Sequence, residues 1–188
     1  MDKKKIGILT FHNVYNYGGT LQAFGLMYAL RQHDVLCVDY IQEARDEHYN
    51  SIVSKNYSLK QNIKNIIKKG IFKEGVQKRK AFDLFFIKHL KLTKNKYTSS
   101  ESLKEIENIF DILISGSDQI WNPFFSDGII DTNYLLGFTS KVKKMAYASS
   151  AGSYSFSKEE KVILAKYLKE YTKIIFFKRT IRRSYCWC

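Results

Sequence analysis

The 188-residue sequence lacks long apolar runs, and it is poor in proline, cysteine and acidic residues. No apolar run approaches the roughly 18 residues that a membrane-spanning helix needs, so we expect no membrane span. A single proline and the absence of low-complexity sequence exclude a Pro-rich linker. The start, MDKKKIGILTF, has an apolar run no longer than a strand and no small-residue cleavage site after it. We therefore expect a first β-strand there and a cytoplasmic protein.

Three cysteines do not make a disulfide framework. Cys37 lies in the apolar strand pattern VLCVDY, which indicates a buried thiol. Cys186 and Cys188 lie in the last three residues, where no further cysteine or histidine completes a zinc ligand set. We expect neither a metal site nor a bound cofactor.

Basic residues are in clear excess, with 31 Lys and Arg against 18 Asp and Glu and a net charge of +13. Residues 55–104 alone hold fourteen basic and three acidic residues. Such a patch can attract nucleic-acid phosphates, anionic metabolites or membrane headgroups. The lysines fall between Ile, Phe and Leu at helical spacing, as on the solvated faces of amphipathic helices, and no nucleic-acid motif accompanies them. The pattern favours solvated helices over a nucleic-acid partner.

The first forty residues predict a β-α-β unit. The apolar runs KKIGILTF and VLCVDY are short enough for strands, and GTLQAFGLMYALRQ between them repeats apolar residues at helical intervals. A crossover of this length joins parallel strands. Two helices are predicted over 58–90, separated near Gly70 and Gly75, and a short helix over 100–109.

The second part of the chain continues the alternation of strands and helices. Strands are predicted at Phe110–Ile114, in KKMAYASS and in KIIFF, with a helix between the last two. Ser157 is the expected N-cap of that helix, and Glu160 stands at the capping-box position. The prediction is an α/β fold, a Rossmann-like parallel sheet with flanking helices over residues 1–175.

Polar, glycine-bearing segments follow three predicted strands: NVYNYGGT, SGSDQIWNP and YASSAGS. Ligands of open parallel sheets bind outside the carboxyl ends of the strands, so the three loops should gather at one edge. Glycine lets the backbone approach a ligand, free N–H groups at a helix start suit an anion, and amides suit sugar hydroxyls. The candidate binding residues are Asn13, Asn16, Gly18, Gly19, Gln22, Ser115, Gly116, Ser117, Asp118, Gln119 and Trp121.

Each of these segments also has a plain structural interpretation. Asn and Gly are the usual residues of any tight turn, which explains NYGG as well as a binding site does. Ser117 or Asp118 could cap a helix, but that role accounts for one residue of SGSDQIWNP and not for the set. Trp121 would add an aromatic platform.

Two residues are candidates for proton transfer. His12 adjoins the first loop and could act as a general acid, or it could be a partly buried structural histidine. Asp118 could act as a base on a sugar hydroxyl, or it could brace its loop. The residues alone leave both alternatives open.

The blocks TFHNVYNYGGTLQAFGLMYAL, VLCVDY, FDILISGSDQIWNP, DTNYLLGF and KKMAYASSAG resemble, in order from about residue 5 to 172, the amino-terminal half of the polysaccharide pyruvyl transferase family. The resemblance implies one half of a two-domain enzyme of the GT-B architecture. It also implies transfer of a pyruvyl group from phosphoenolpyruvate to sugar hydroxyls as a ketal, in cell-surface polysaccharide biosynthesis. The loops at 13–19 and 115–121 would line the cleft between the halves, where an anionic donor and a sugar acceptor meet.

The carboxyl terminus departs from the family pattern. Family chains are roughly twice as long, and their second half supplies a general-acid histidine and basic residues for the donor. Residues 176–188 read FFKRTIRRSYCWC, without an acidic residue, and we expect a truncated or out-of-frame end. An uncovered domain face would then favour self-association. The alternatives are half of a GT-B-like glycosyltransferase or a module that binds a sugar or nucleotide-sugar without turnover.

Overall fold

A parallel sheet forms the centre of the computed structural model, which describes residues 2–42 and 73–176. Within those ranges its strands are β1 (Lys5–Leu9), β2 (Asp34–Tyr40), β3 (Leu92–Tyr97), β4 (Ile112–Ser115), β5 (Lys143–Tyr147) and β6 (Tyr171–Ile175). All neighbouring pairs are parallel, and the order across the sheet is β3-β2-β1-β4-β5-β6. The predicted α/β, Rossmann-like class is confirmed.

Four helices flank the sheet in the described ranges: α1 (Tyr17–Ala29), α2 (Lys73–His89), α3 (Ser100–Leu103) and α4 (Lys158–Leu168). Short 3₁₀ segments cover Lys104–Asn108 and Pro123–Phe125. The N-cap of α4 is Ser157, whose side chain accepts from Glu160 N while the Glu160 carboxylate accepts from Ser157 N. The predicted capping box is therefore confirmed.

Two features differ from the sequence-based prediction. The pattern LTKNKY did not predict β3, because this edge strand buries only Thr93 and Tyr97 and carries lysines on its exposed positions. Gly75 lies inside α2 rather than between helices. The part of the predicted helices that falls before residue 73 lies outside the described residues.

The central strands of the sheet are covered on both faces. One face packs Ile8 and Cys37 against α1 and α2, which contribute Leu26 and Phe86. The other face holds a larger core that includes Val38, Leu113, Ile106, Trp121, Leu135 and Leu164. Burial on both faces explains why β2 reads as a near-continuous apolar run rather than an alternating one.

The strand order places a topological switch point between β1 and β4. The chain winds from β1 through β2 to β3 on one side and from β4 through β5 to β6 on the other. Leu9 pairs with Ser115 in register, so the loops after these two strands start level with each other. This is the place where doubly wound sheets open a crevice at their carboxyl edge.

Candidate functional site

Hydrogen bonds join the loops that follow β1 and β4. Thr10 Oγ1 donates to the carbonyl oxygen of Ser117 at 2.6 Å, and both residues are buried. Gly116 N donates to the carbonyl oxygen of Leu9 at 2.9 Å. The bonds extend the pairing of β1 and β4 past the end of the sheet, so the two loops form one wall.

The loop after β5 joins the same wall. Asp118 forms an isolated parallel bridge with Ser149, in which Ser150 N donates to the carbonyl oxygen of Asp118 at 3.0 Å. Ser149 Oγ donates to the carbonyl oxygen of Ser115 at 2.7 Å. The prediction that the three loops gather at one edge is confirmed.

Gly116 makes this close approach possible. Its φ of +120° lies in a region that side chains disfavour, and a Cβ atom there would lie 2.1 Å from the carbonyl oxygen of Tyr147. The Gly116–Ser117 peptide bond is cis. Any larger residue would push the second loop away from the third.

Asn16 caps the amino end of α1, and the side chain of Asp118 lies next to it. Asn16 is the N-cap, and its Oδ1 accepts from Gly19 N at 2.7 Å. Asp118 Oδ2 lies 3.0 Å from the position that a Cβ atom would take on Gly19. The Gly19 N–H itself is therefore not free for an anion, because the Asn16 side chain already binds it and the Asp118 carboxylate lies beside it.

Asp118 is an acidic residue of the wall with an uncommon backbone conformation. It is half-buried and has a φ of +111°, and its Oδ1 accepts from Gln119 N at 2.7 Å. No donor among the described residues hydrogen-bonds to Oδ2. Oδ2 of Asp118 can thus accept a hydrogen bond from a hydroxyl group brought to it.

His12 lies beneath the first loop rather than at its surface. Its side chain is buried, with Nε2 3.0 Å from Asp39 Oδ1 and Nδ1 3.4 Å from the carbonyl oxygen of Thr10. Both ring nitrogens therefore face acceptors of the chain itself. This geometry matches the structural alternative, in which His12 connects the β1 loop to β2.

Trp121 and Ser115 lie in the core. Trp121 Nε1 lies 3.3 Å from Ser115 Oγ and 3.2 Å from the carbonyl oxygen of Tyr134, to which Ser115 Oγ donates at 2.6 Å. Both side chains are buried, as is that of Ser117. The expectation that Trp121 offers a stacking platform is wrong, since the indole ring braces the loop from inside.

Phe124 is the exposed aromatic residue of this loop, and sequence reasoning missed it. Its side chain is 79% exposed, and its N–H donates to Asn122 Oδ1 at 3.0 Å. Its ring packs edge-on against Phe125, with centroids 5.5 Å apart. The sequence did contain a signal for a helical turn here, because Asn122 is a good N-cap and Pro123 suits the first position of a helix.

The other predicted site residues lie around this wall. Asn13 is half-buried in the first loop, whereas Gly18 and Gln22 are exposed on α1. The Gln119 amide lies against Gly152 of the third loop. A Cβ atom added to Gly152 would be 2.2 Å from Gln119 Oε1. Across the described ranges, no three His, Cys, Asp or Glu side chains come together in a way that could hold a metal ion.

A polar network supports the wall from the end of β2. Tyr40 donates its hydroxyl to Asp131 Oδ2 at 2.8 Å and accepts from Asn133 Nδ2 at 2.8 Å. Asn133 N also donates to Asp131 Oδ1 at 2.9 Å. The DTNY segment therefore has a structural role, since it fixes Tyr134, whose carbonyl oxygen binds Ser115 and Trp121.

A doubly wound parallel sheet with three joined polar loops at its switch point is the arrangement at which open α/β sheets commonly bind ligands. Residues 16–177 match the family model of polysaccharide pyruvyl transferases. The chain belongs to that family. Comparisons with curated proteins and with solved structures found no match. No helix in residues 2–42 or 73–176 is long and apolar enough to cross a membrane.

Proposed function

We propose that the chain takes part in the transfer of a pyruvyl group from phosphoenolpyruvate to a sugar. We also propose that the sugar acceptor binds to the joined loops after β1, β4 and β5, which we call the switch-point wall. The proposal rests on the family membership and on one observation, the Asp118 carboxylate set between the first two loops beside Gly19. Asp118 accepts the proton of the attacking sugar hydroxyl.

The reaction closes a ketal on two hydroxyl groups of the acceptor. Both oxygens form bonds to C2 of the enolpyruvyl group, and the bond from C2 to the phosphate oxygen breaks. One hydroxyl proton ends on C3, which becomes a methyl group, and the other leaves with the phosphate. Asp118 holds a proton only in transit, as a general base does.

The charge of the wall favours the acceptor over the donor at this position. A phosphate placed at the start of α1 would meet the Asp118 carboxylate, and like charges at contact distance disfavour each other. Sugar hydroxyls donate hydrogen bonds to a carboxylate without that cost. Phe124, exposed in the same loop, offers the apolar face of a ring to a pyranose.

The direct test measures phosphate release from phosphoenolpyruvate in the presence of candidate acceptor sugars. Two proteins are compared, the 188-residue chain and the same chain extended by the second domain of a family member. Release by either protein supports pyruvyl transfer. Saturable sugar binding without release from either one favours the non-catalytic binding module, and neither binding nor release counts against the assignment.

Asp118→Asn tests the proposed base in whichever protein is active. The amide keeps the acceptor for Gln119 N and nearly the same shape but cannot take a proton, so we expect the rate to fall about 10²- to 10⁴-fold. Asp127→Asn is the matched control, because Asp127 is exposed and also has a positive φ, of 53°. An Asp118→Asn rate within a few-fold of the control would rule out this role.

A further inference from the structure

The outer side of α2 carries large apolar side chains between lysines. Leu84 is 66% exposed and Ile87 is 82% exposed. Lys80 and Lys88, each four residues from Leu84, are exposed on the same side of the helix. Exposed apolar side chains flanked by cations are typical of a helix that lies in the interface of an anionic membrane.

The adjoining helix continues this surface. Phe24 of α1 packs against Phe85 of α2 with ring centroids 5.6 Å apart, so the two helices lie side by side on one face of the sheet. Leu21 and Tyr28 of α1 are exposed, and the Arg31 guanidinium lies 4.2 Å from the centre of the Tyr28 ring. We call the exposed set Leu21, Tyr28, Lys80, Leu84, Ile87 and Lys88 the outer helical face.

A groove between the two helices adds room for part of a lipid. Its volume is about 340 Å³, and its lining is mainly apolar, with Leu21, Phe82 and Phe85. Lys78 also lines the groove, with its Nζ 5.2 Å from the centre of the Tyr17 ring. An apolar cleft with a cation at its edge suits a chain or ring attached to an acidic group.

The charges on this face are mostly positive. Over residues 77–89 of α2 there are four Lys and Arg and one acidic residue, Asp83. Asp83 Oδ1 accepts from the Tyr15 hydroxyl at 3.0 Å, and α1 contains no acidic residue. Together with the net charge of +13, this excess of positive charge favours a partner with a negatively charged surface.

We propose that the outer helical face docks on an anionic lipid surface. Leu84, Ile87 and Leu21 insert between headgroups, and Lys80 and Lys88 contact lipid phosphates. The proposal is independent of pyruvyl transfer, because none of these residues belongs to the switch-point wall.

Vesicle flotation tests the electrostatic part. We expect the 188-residue protein to float with vesicles of equal parts phosphatidylglycerol and phosphatidylcholine, not with phosphatidylcholine alone, and to be released as salt rises to about 0.5 M. Lys80→Gln with Lys88→Gln should lower the partition constant about 25-fold, or about fivefold for each lysine. Lys158→Gln with Lys161→Gln, exposed on α4, is the matched control and should change it little.

A second pair of variants tests the apolar part. Leu84→Ser with Ile87→Ser should lower binding to anionic vesicles at least tenfold. Val162→Ser with Ile163→Ser on α4 removes two exposed apolar side chains, Val162 at 70% and Ile163 at 39% exposure, and should leave binding unchanged. Circular dichroism checks that all variants keep their helices.

Three outcomes would overturn the proposal. The first is the absence of binding to anionic vesicles. The second is an equal loss of binding in the α2 variants and their α4 controls. The third is a change of oligomeric state in Leu84→Ser with Ile87→Ser without a change in vesicle binding, because this face would then join two copies of the chain.

Discussion

Asp118 and Gly19, almost one hundred residues apart in the chain, lie in contact at the switch point. Asp118 Oδ2 is 3.0 Å from where a Cβ atom would stand on Gly19, so the carboxylate occupies space that only glycine leaves open. The same contact places a carboxylate at the amino end of α1. Replacing Gly19 therefore tests the site and the packing together.

Gly19→Ala should move Asp118 and loosen the wall. The new Cβ would meet Val14 Cγ2 at 2.7 Å as well as the carboxylate, and such overpacking costs about 1–3 kcal/mol of unfolding free energy. Gly25→Ala is the control in the same helix, because nothing lies within 4 Å of its Cβ position. There the gain in helix propensity should stabilise the protein by up to about 1 kcal/mol. Chemical denaturation measures both, and equal stabilisation would contradict the proposed contact.

Asn16→Ala should destabilise α1 by about 1 kcal/mol, because the side chain that caps Gly19 N is lost. Asn16→Ser should recover most of this, since serine is an equally good N-cap. Asn108→Ala, at an exposed position of a 3₁₀ segment, is the reference for a surface asparagine. Denaturation midpoints report the difference, and the capping role is wrong if the two alanine variants unfold alike.

Phe124→Ala should weaken sugar binding without changing stability. Stacking on an aromatic ring contributes about 0.5–1.5 kcal/mol, so the dissociation constant for an acceptor sugar should rise about two- to twelvefold. Phe124→Trp should keep the affinity. Ile129→Ala removes another exposed side chain of the same segment, 71% exposed, and should have no effect. Titrations followed by NMR compare the four proteins, and a loss of affinity shared with Ile129→Ala would argue against stacking.

Cys37 should make stability fall at alkaline pH. Complete burial raises the pKa of the Cys37 thiol well above its ordinary value, and the Asp39 carboxylate raises it further. Above about pH 8.5 the unfolded chain loses this proton while the native chain keeps it, so unfolding becomes easier by up to about 1.4 kcal/mol per pH unit. Below that pH the thiol contributes no pH dependence.

The check compares the pH dependence of the unfolding free energy between the native chain and Cys37→Ala. The variant should be less stable at neutral pH because of the cavity, but its stability should fall less steeply between about pH 8.5 and 9.5. The cysteines at 186 and 188 are present in both proteins and cancel in the comparison. Parallel pH profiles would show that the thiol titrates alike in both states.

Much of the fold follows from local pattern. Apolar runs of strand length, the apolar spacing of α1 and the capping box at Ser157 each depend on neighbouring residues, so they can be predicted from the chain alone. The edge strand β3 could not be predicted in this way, because its sequence is mostly polar and only Thr93 and Tyr97 are buried. Its identity as a strand depends on pairing with β2, which is a long-range contact.

The site was predictable as a location but not as an arrangement of side chains. The rule that loops gather at the carboxyl edge predicted the three segments that meet. Trp121 is buried and Phe124 is exposed, and this difference depends on how the segment before and after Asn122 and Pro123 packs against the rest of the chain. The position of Asp118 beside Gly19 also depends on how two loops that are distant in sequence pack together.

The central position of β1 in the sheet affects the order of folding during synthesis. Ile6 pairs with Ile112, so β1 has no partner on this side until β4, about a hundred residues later in the sequence, has been made. Pairings of such long sequence separation close slowly and leave a strand edge open in the meantime. The wall formed by the loops after β1 and β4 can form only after this pairing, so these loops take their final arrangement late in folding, and the β1 edge stays open to other chains until then.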